Sequence, residues 1–194
     1  MKRIGLFFGS FNPIHNDHLK LASFFLEKAD LDLIWFLITP QNPWKKTTDL
    51  LDESERLKIV SQALVSHPKF EVNTIEFKLP KPSYTYTTLT KLKKQYPEKV
   101  FKLILGADSL ISFDKWKNYD KILNEFELLI YPRKTNESIP KKFLEHSKIF
   151  WPEAPNLIIS SSEIRKKIRE GNDVSTQIPI KSWEYIKENN FYST

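Results

Sequence analysis

Alternating apolar runs and amphipathic stretches predict a doubly wound α/β fold, a parallel sheet covered by helices on both faces. Two observations carry this reading. Six short apolar runs are separated by segments of helical period. Two of the chain's four glycines, Gly9 and Gly106, each stand directly after such a run. In folds of this class, that edge, outside the carboxyl ends of the strands, is where ligands lie.

The elements follow in order. Residues 4–8 (Ile-Gly-Leu-Phe-Phe) form an apolar run broken by Gly9 and read as the first strand. Residues 19–28 place Leu19, Ala22 and Leu26 at helical spacing, with Lys20 and Glu27 elsewhere on the turn. Residues 33–38 are wholly apolar, as a strand buried on both faces requires. Helical periods over 53–66, 87–95 and 119–125 alternate with strand-like runs at 70–72, 100–105, 128–131 and 148–151. Beyond Pro152 and Pro155 the pattern changes. A helix over 163–169 ends at Gly171, and Pro179 opens another that runs to residue 188. The expectation is a single domain over residues 1–194, with 160–194 as a small helical subdomain packed on the sheet.

A chain of 194 residues can bury a full core, and its 40% hydrophobic and 28% charged residues are those of a globular protein. Zero cysteines exclude structural disulfides and fit a reducing, cytoplasmic setting. Met1-Lys2-Arg3 followed by five apolar-run residues imitates a signal peptide but stops too soon for its apolar region, and no run suits a membrane span. The net charge of +6 suits nucleic acid or a polyanionic small molecule. The lysines are dispersed and no RNA-binding motif is present, so the expectation is no nucleic-acid partner and no membrane partner. Assembly with further copies of the chain stays open.

The most informative segment is residues 9–18, Gly-Ser-Phe-Asn-Pro-Ile-His-Asn-Asp-His. Gly9 and Pro13 tighten a strand-to-helix turn where backbone N–H groups gather. Helix starts of this kind bind phosphate through free N–H groups and the positive end of the dipole. His15 and His18, three residues apart, add side-chain donors. A zinc-ligand reading of the pair lacks cysteines to complete it. The segment resembles the phosphate loop of the HxxH nucleotidyltransferases, G-[TS]-F-[DN]-P-x-H-x-G-H, with Asp17 where Gly is usual. A carboxylate there would repel phosphate unless it faces outward or serves a metal.

Ser160-Ser161-Ser162-Glu163-Ile164-Arg165 has two readings. Ser160 and Glu163 make a capping box. Arg165 in the first turns opposes the helix dipole, which a bound anion would compensate. The segment is similar to the I-S-S-T-x-I-R motif of the same superfamily. Asp108, just after the run ending in Gly106, reads equally as a helix cap or a ribose ligand. Trp116 reads as core or as a stacking platform. Together with Ser83-Tyr84-Thr85, Pro43-Trp44-Lys45-Lys46, Arg56 and Tyr131-Pro132-Arg133-Lys134, these pieces resemble the bacterial nicotinate mononucleotide adenylyltransferases over essentially the whole chain.

The resemblance implies a Rossmann-like nucleotidyltransferase that joins ATP and nicotinate mononucleotide into deamido-NAD and pyrophosphate. It implies ATP binding by Gly9, Ser10, Phe11, Gly106, Asp108, Ser161 and Ser162, and catalysis by His15, His18, Lys46 and Arg165. Thr85, Trp116 and Arg133 would hold the mononucleotide. Magnesium (Mg2+) is expected as a cofactor carried mainly by the ATP phosphates, with no dedicated protein cage. Lys45 and Thr87 join Asp17 as departures from the family pattern. Phosphopantetheine adenylyltransferase shares the first loop but lacks the Gly106–Trp116 and Ser83–Thr85 elements. A non-catalytic nucleotide sensor or an RNA-binding module on the same fold is the reading from another class.

Overall fold

The structure, a computed structural model, describes residues 1–40, 50–133 and 137–193. Six strands form one sheet in the order β3-β2-β1-β4-β5-β6, and every neighbouring pair is parallel. They are β1 (Lys2–Gly9), β2 (Leu33–Ile38), β3 (Phe70–Asn73), β4 (Lys99–Gly106), β5 (Glu127–Tyr131) and β6 (Ile149–Phe150). The order reverses between β1 and β4, so the switch point lies where Gly9 and Gly106 end adjacent strands. The doubly wound parallel sheet expected from the sequence is the observed fold.

Alternation along β1 sends its side chains into two cores. Phe7 packs with Ile34 and Phe36 on one face, and Ile4 and Leu6 pack with Leu103 and Leu105 on the other. The first face is covered by α1 (Asn16–Lys28) and α2 (Glu53–Leu64). The second is covered by α3 (Thr85–Gln95), α4 (Ala107–Ile111), α5 (Tyr119–Glu125) and α6 (Lys141–Leu144). Each buried Leu, Ile or Phe contributes about 1.5–3 kcal/mol, so both layers are needed to hold the sheet.

The differences from the sequence reading have local causes. Helix α1 begins at Asn16, three residues before the apolar period starts, because its first turn is polar. Helix α4 is five residues long, too short for periodicity to reveal. Strand β6 covers only Ile149–Phe150, and just before it the Lys148 N–H donates to the His146 ring at 3.2 Å.

The C-terminal helices α7 (Ser161–Arg169) and α8 (Ile180–Glu188) join the core on the first sheet face. Ile164, Val174, Ile178 and Ile186 join the cluster that holds Phe7, Phe25 and Ile59. Ser182 Oγ donates to the Ile59 carbonyl at 2.7 Å, and the Tyr185 hydroxyl donates to Glu55 at 2.6 Å, so α8 is tied to α2.

The capping box at α7 is formed. Ser160 Oγ accepts from the Glu163 N–H at 3.2 Å, and Glu163 accepts from the Ser160 N–H at 3.1 Å. Ser160→Ala should therefore lower unfolding stability by about 1 kcal/mol. Urea unfolding checks this, and an unchanged midpoint would remove the cap from the account.

Candidate active site

Two close backbone approaches shape the switch point. A Cβ on Gly9 would come within 2.8 Å of the Phe11 ring, and one on Gly106 within 2.5 Å of Asp108 Oδ1. At Gly9 a side chain would clash with the buried Phe11 ring, and at Gly106 it would displace the Asp108 carboxylate from the cleft. Phe11 is buried with φ of +44°, so the loop after β1 turns back sharply and carries local strain.

The cleft above these strand ends holds about 1000 Å³. Gly9, Ser10, Phe11, His15, His18, Thr85, Gly106, Asp108, Trp116, Arg133, Ser161, Ser162 and Arg165, all singled out above for the site, line it. Lys46, with Pro43, Trp44 and Lys45, lies outside the described residues, as does Lys134.

His15 is the N-cap of α1 and His18 its third residue, and their rings stack at 3.7 Å between centroids. His15 is buried, and burial lowers its pKa to about 4, partly opposed by Asp17 and reinforced by Arg133. Burial also holds His18 well below the ordinary value, with the charges of His15 and Arg133 adding to the effect. His18 Nδ1 accepts the His15 backbone N–H at 3.2 Å. That assigns the proton of the neutral His18 ring to Nε2, leaving one N–H to donate. The helix start offers fewer free amides than the sequence suggests. The His15 N–H is engaged by His18, and the Asn16 N–H donates to the Gln177 carbonyl at 2.9 Å.

Helix α7 meets the loop from the opposite side. Arg165 Nη1 donates to the Asn12 carbonyl at 2.9 Å, and Ser161 Oγ donates to the Pro13 carbonyl at 2.9 Å. Arg165 thus has partial compensation from a carbonyl, which the dipole argument alone did not foresee. Arg165 Nε is buried and has no hydrogen-bond partner among the described residues. Asp17 faces away from the cleft, accepting the Ile158 and Ile159 N–H groups.

At the β4 side, Asp108 is not a cap. The N-cap of α4 is Gly106, and Asp108 Oδ1 is buried with no hydrogen-bond partner, while Oδ2 lies 3.3 Å from Arg133. Tyr84 is the N-cap of α3, and its side chain makes no cap bond. Trp116 is partly buried, 5.2 Å from the Phe113 ring, and still borders the cleft. It joins core and cleft at once. Lys117 lies 4.6 Å over the Tyr84 ring on the same rim.

Sequence reasoning missed Glu76 and Thr39. Both line the cleft, and Glu76 accepts from Thr88 Oγ1 at 2.7 Å while burial raises its pKa. An acid between Ile75 and Phe77 was the available signal. Among the described residues no group of three or more His, Cys, Asp or Glu could hold a metal ion.

Loops from both halves of a parallel sheet, converging on one switch point with paired histidines and a serine–arginine helix start, define an α/β nucleotidyltransferase. The family profile described as cytidylyltransferase-like matches residues 6–167. A probable nicotinate-nucleotide adenylyltransferase of Flavobacterium johnsoniae is 46% identical over 190 residues, covering 98% of both chains. Another, from Bacteroides thetaiotaomicron, is 42% identical over 96% of this chain and 91% of its own. The Plasmodium falciparum nicotinic acid mononucleotide adenylyltransferase complexed with NaAD superposes with a TM-score of 0.78 at 23% identity, covering 99% of this chain and 98% of its own, a likeness of fold. The chain belongs to the cytidylyltransferase-like family and, within it, to the nicotinate-nucleotide adenylyltransferases.

The histidine pair makes stability depend on pH. An unfolded histidine titrates near 6.5, whereas His15 in the fold titrates near 4. Between those values the unfolded chain binds protons that the folded chain does not. Stability should fall as pH drops through that window, by at most about 1.4 kcal/mol per pH unit for each histidine. Urea midpoints at pH 7, 6 and 5 should therefore decline, and His15→Gln should flatten the decline. Equal midpoints for the parent at pH 7 and 5 would contradict neutral histidines.

Proposed function

We propose that this protein transfers the adenylyl group of ATP to nicotinate mononucleotide, forming deamido-NAD and releasing pyrophosphate. The observation that carries the reading is the convergence of two phosphate-type elements on one cleft, with Arg165 on the Asn12 carbonyl and Ser161 on the Pro13 carbonyl. The Gly106–Trp116 and Ser83–Thr85 elements border the same cleft, which favours nicotinate mononucleotide over phosphopantetheine as acceptor.

An oxygen of the mononucleotide phosphate attacks the α-phosphorus of ATP. The bond to the β-phosphate oxygen breaks, and its electrons leave on pyrophosphate. The attacking phosphate is already anionic near neutral pH, so no strong base is needed. The protein positions both partners and stabilises charge. The His18 N–H donates to the α-phosphate as charge grows. His15, Lys46 and Arg165 hold the phosphates that leave, with Ser161, Ser162 and the Gly9–Phe11 backbone. Gly106 and Asp108 face the ribose, and Thr85, Trp116 and Arg133 hold the mononucleotide.

Enzymes of this class typically use a metal ion, and we assign Mg2+. The cleft's carboxylates fit a metal carried by substrate, since Asp108 is paired with Arg133 and Glu76 accepts from Thr88 Oγ1. Mg2+ would be held by phosphate oxygens and water and would supply charge neutralisation there. The absence of cysteine fits a cytoplasmic enzyme. Among the described residues no helix is long and apolar enough to cross a membrane.

Pyrophosphate release with Mg-ATP and a panel of acceptors (nicotinate mononucleotide, nicotinamide mononucleotide and phosphopantetheine) tests the assignment. Turnover should be highest with nicotinate mononucleotide. Turnover confined to phosphopantetheine would refute it.

His18→Ala should lower kcat by roughly 10²- to 10³-fold, the range for one lost transition-state donor, with smaller changes in KM. Near-normal turnover would remove His18 from the mechanism.

Arg165→Ala should weaken ATP binding by about 1.5–3 kcal/mol, the scale of a charge-assisted hydrogen bond. Mg-ATP should then raise the Tm of this variant less than that of the parent. Equal stabilisation would sink the phosphate role of Arg165.

A further inference from the structure

We propose that Asp17 is a positioning residue for ATP: it fixes the segment before α7 on the first turn of α1, so that Ser161, Ser162 and Arg165 face the histidine pair. This rests on the reading of the cleft as the ATP site. One carboxylate oxygen, Oδ2, accepts the N–H groups of Ile158 and Ile159, both at 2.9 Å, from residues 141 and 142 positions away. Asp17 is 5% exposed and does not line the cleft. Its other oxygen lies 3.4 Å from Lys20 Nζ at the surface.

Several features make this contact decide the position of the segment. Residues 151–160 have no regular secondary structure, so no helix or ladder sets their path. The Ile158 side chain is 87% exposed, and although Ala154, Leu157 and Ile159 pack against the core, such apolar contacts set no hydrogen-bonded register for the segment. Ser161 and Arg165 also donate hydrogen bonds to the first loop, but these side chains themselves border the cleft. Asp17 is therefore the tie that can be altered without removing a ligand contact. The carboxylate is also well placed for its task. It lies in the first turn of α1, where the dipole favours negative charge. Burial would raise its pKa, but the Ile159 and Ile158 N–H groups and Lys20 bring it below the ordinary value, so it is ionised at neutral pH. A carboxylate beside a phosphate site would repel substrate; here its lone pairs are turned onto the backbone.

The test measures both KM values, and the dissociation constant of ATP alone by calorimetry, for the parent, Asp17→Ala and Asp17→Asn. Asp17→Ala should raise the ATP constants about tenfold, the scale of losing charge-assisted bonds, and leave KM for nicotinate mononucleotide within about twofold. Asp17→Asn, whose amide oxygen accepts the same N–H groups more weakly, should fall between the two. A role in general stability alone would move both KM values together or neither. Either result overturns the proposal, as does an ATP dissociation constant for Asp17→Ala within about twofold of the parent's. Should Asp17→Ala not fold, Asp17→Asn must still raise the ATP constants at least about twofold, and parent-like values overturn the proposal. A parent that releases no pyrophosphate refutes the reaction itself, while ATP titration of the variants still decides the role of Asp17.

Discussion

The site rests on one buried cation. Arg56, 1% exposed on α2, donates to four backbone carbonyls: Nε to Leu51 at 2.9 Å, Nη1 to Ser10 at 2.8 Å and Thr39 at 2.9 Å, and Nη2 to Pro40 at 3.0 Å. The loop after β1 and the end of β2 are thereby fixed to the same guanidinium. Among the described residues no carboxylate lies within ion-pair distance of it. Burial lowers its pKa, with Tyr192, Glu53 and Asp52 opposing, yet a guanidinium keeps its proton in such a setting. A buried charge satisfied only by carbonyls is costly. It persists here because its planar fork of donors matches three converging chain segments. Its charge also stays beneath the loop proposed to receive phosphate.

The same loop is braced at Asn12. Its side-chain oxygen accepts from the Leu51 N–H at 3.2 Å and from the Tyr192 hydroxyl at 2.8 Å, and its carbonyl accepts from Arg165. The C-terminal residues, α2 and α7 therefore all end on one turn of ten residues. These contacts hold the helical subdomain against α2 and the loop after β1. The same packing also explains the histidines. Burial among these close-packed groups keeps His15 and His18 neutral, and the low local dielectric strengthens the N–H groups they turn to the cleft.

Much of this was legible in the chain. Apolar runs located all six strands, and Gly9 and Gly106 marked the switch point, because burial on both faces and lack of Cβ room leave direct signatures in residue type. The chemistry-bearing residues were legible where they cluster in sequence, as at residues 9–18 and 160–165. What stayed hidden is long-range. The partners of Asp17 lie far along the chain, and nothing near Arg56 announces that its acceptors are carbonyls of three segments. The Asp108 cap failed because the short helix α4 starts two residues earlier than a cap at Asp108 would need. Glu76 escaped because one acid among apolar neighbours has no period. The role of Lys46 falls outside the described residues.

The central claim is that both phosphate elements grip one ligand at the same time. Hydrogen–deuterium exchange of the parent, with and without a non-hydrolysable ATP analogue and Mg2+, tests it most directly. The account predicts that peptides spanning residues 9–18 and 157–165 slow together, at the same analogue concentration, while peptides over 83–88 respond only when nicotinate mononucleotide is added. Slowing at 9–18 with 157–165 unchanged would contradict a shared cradle.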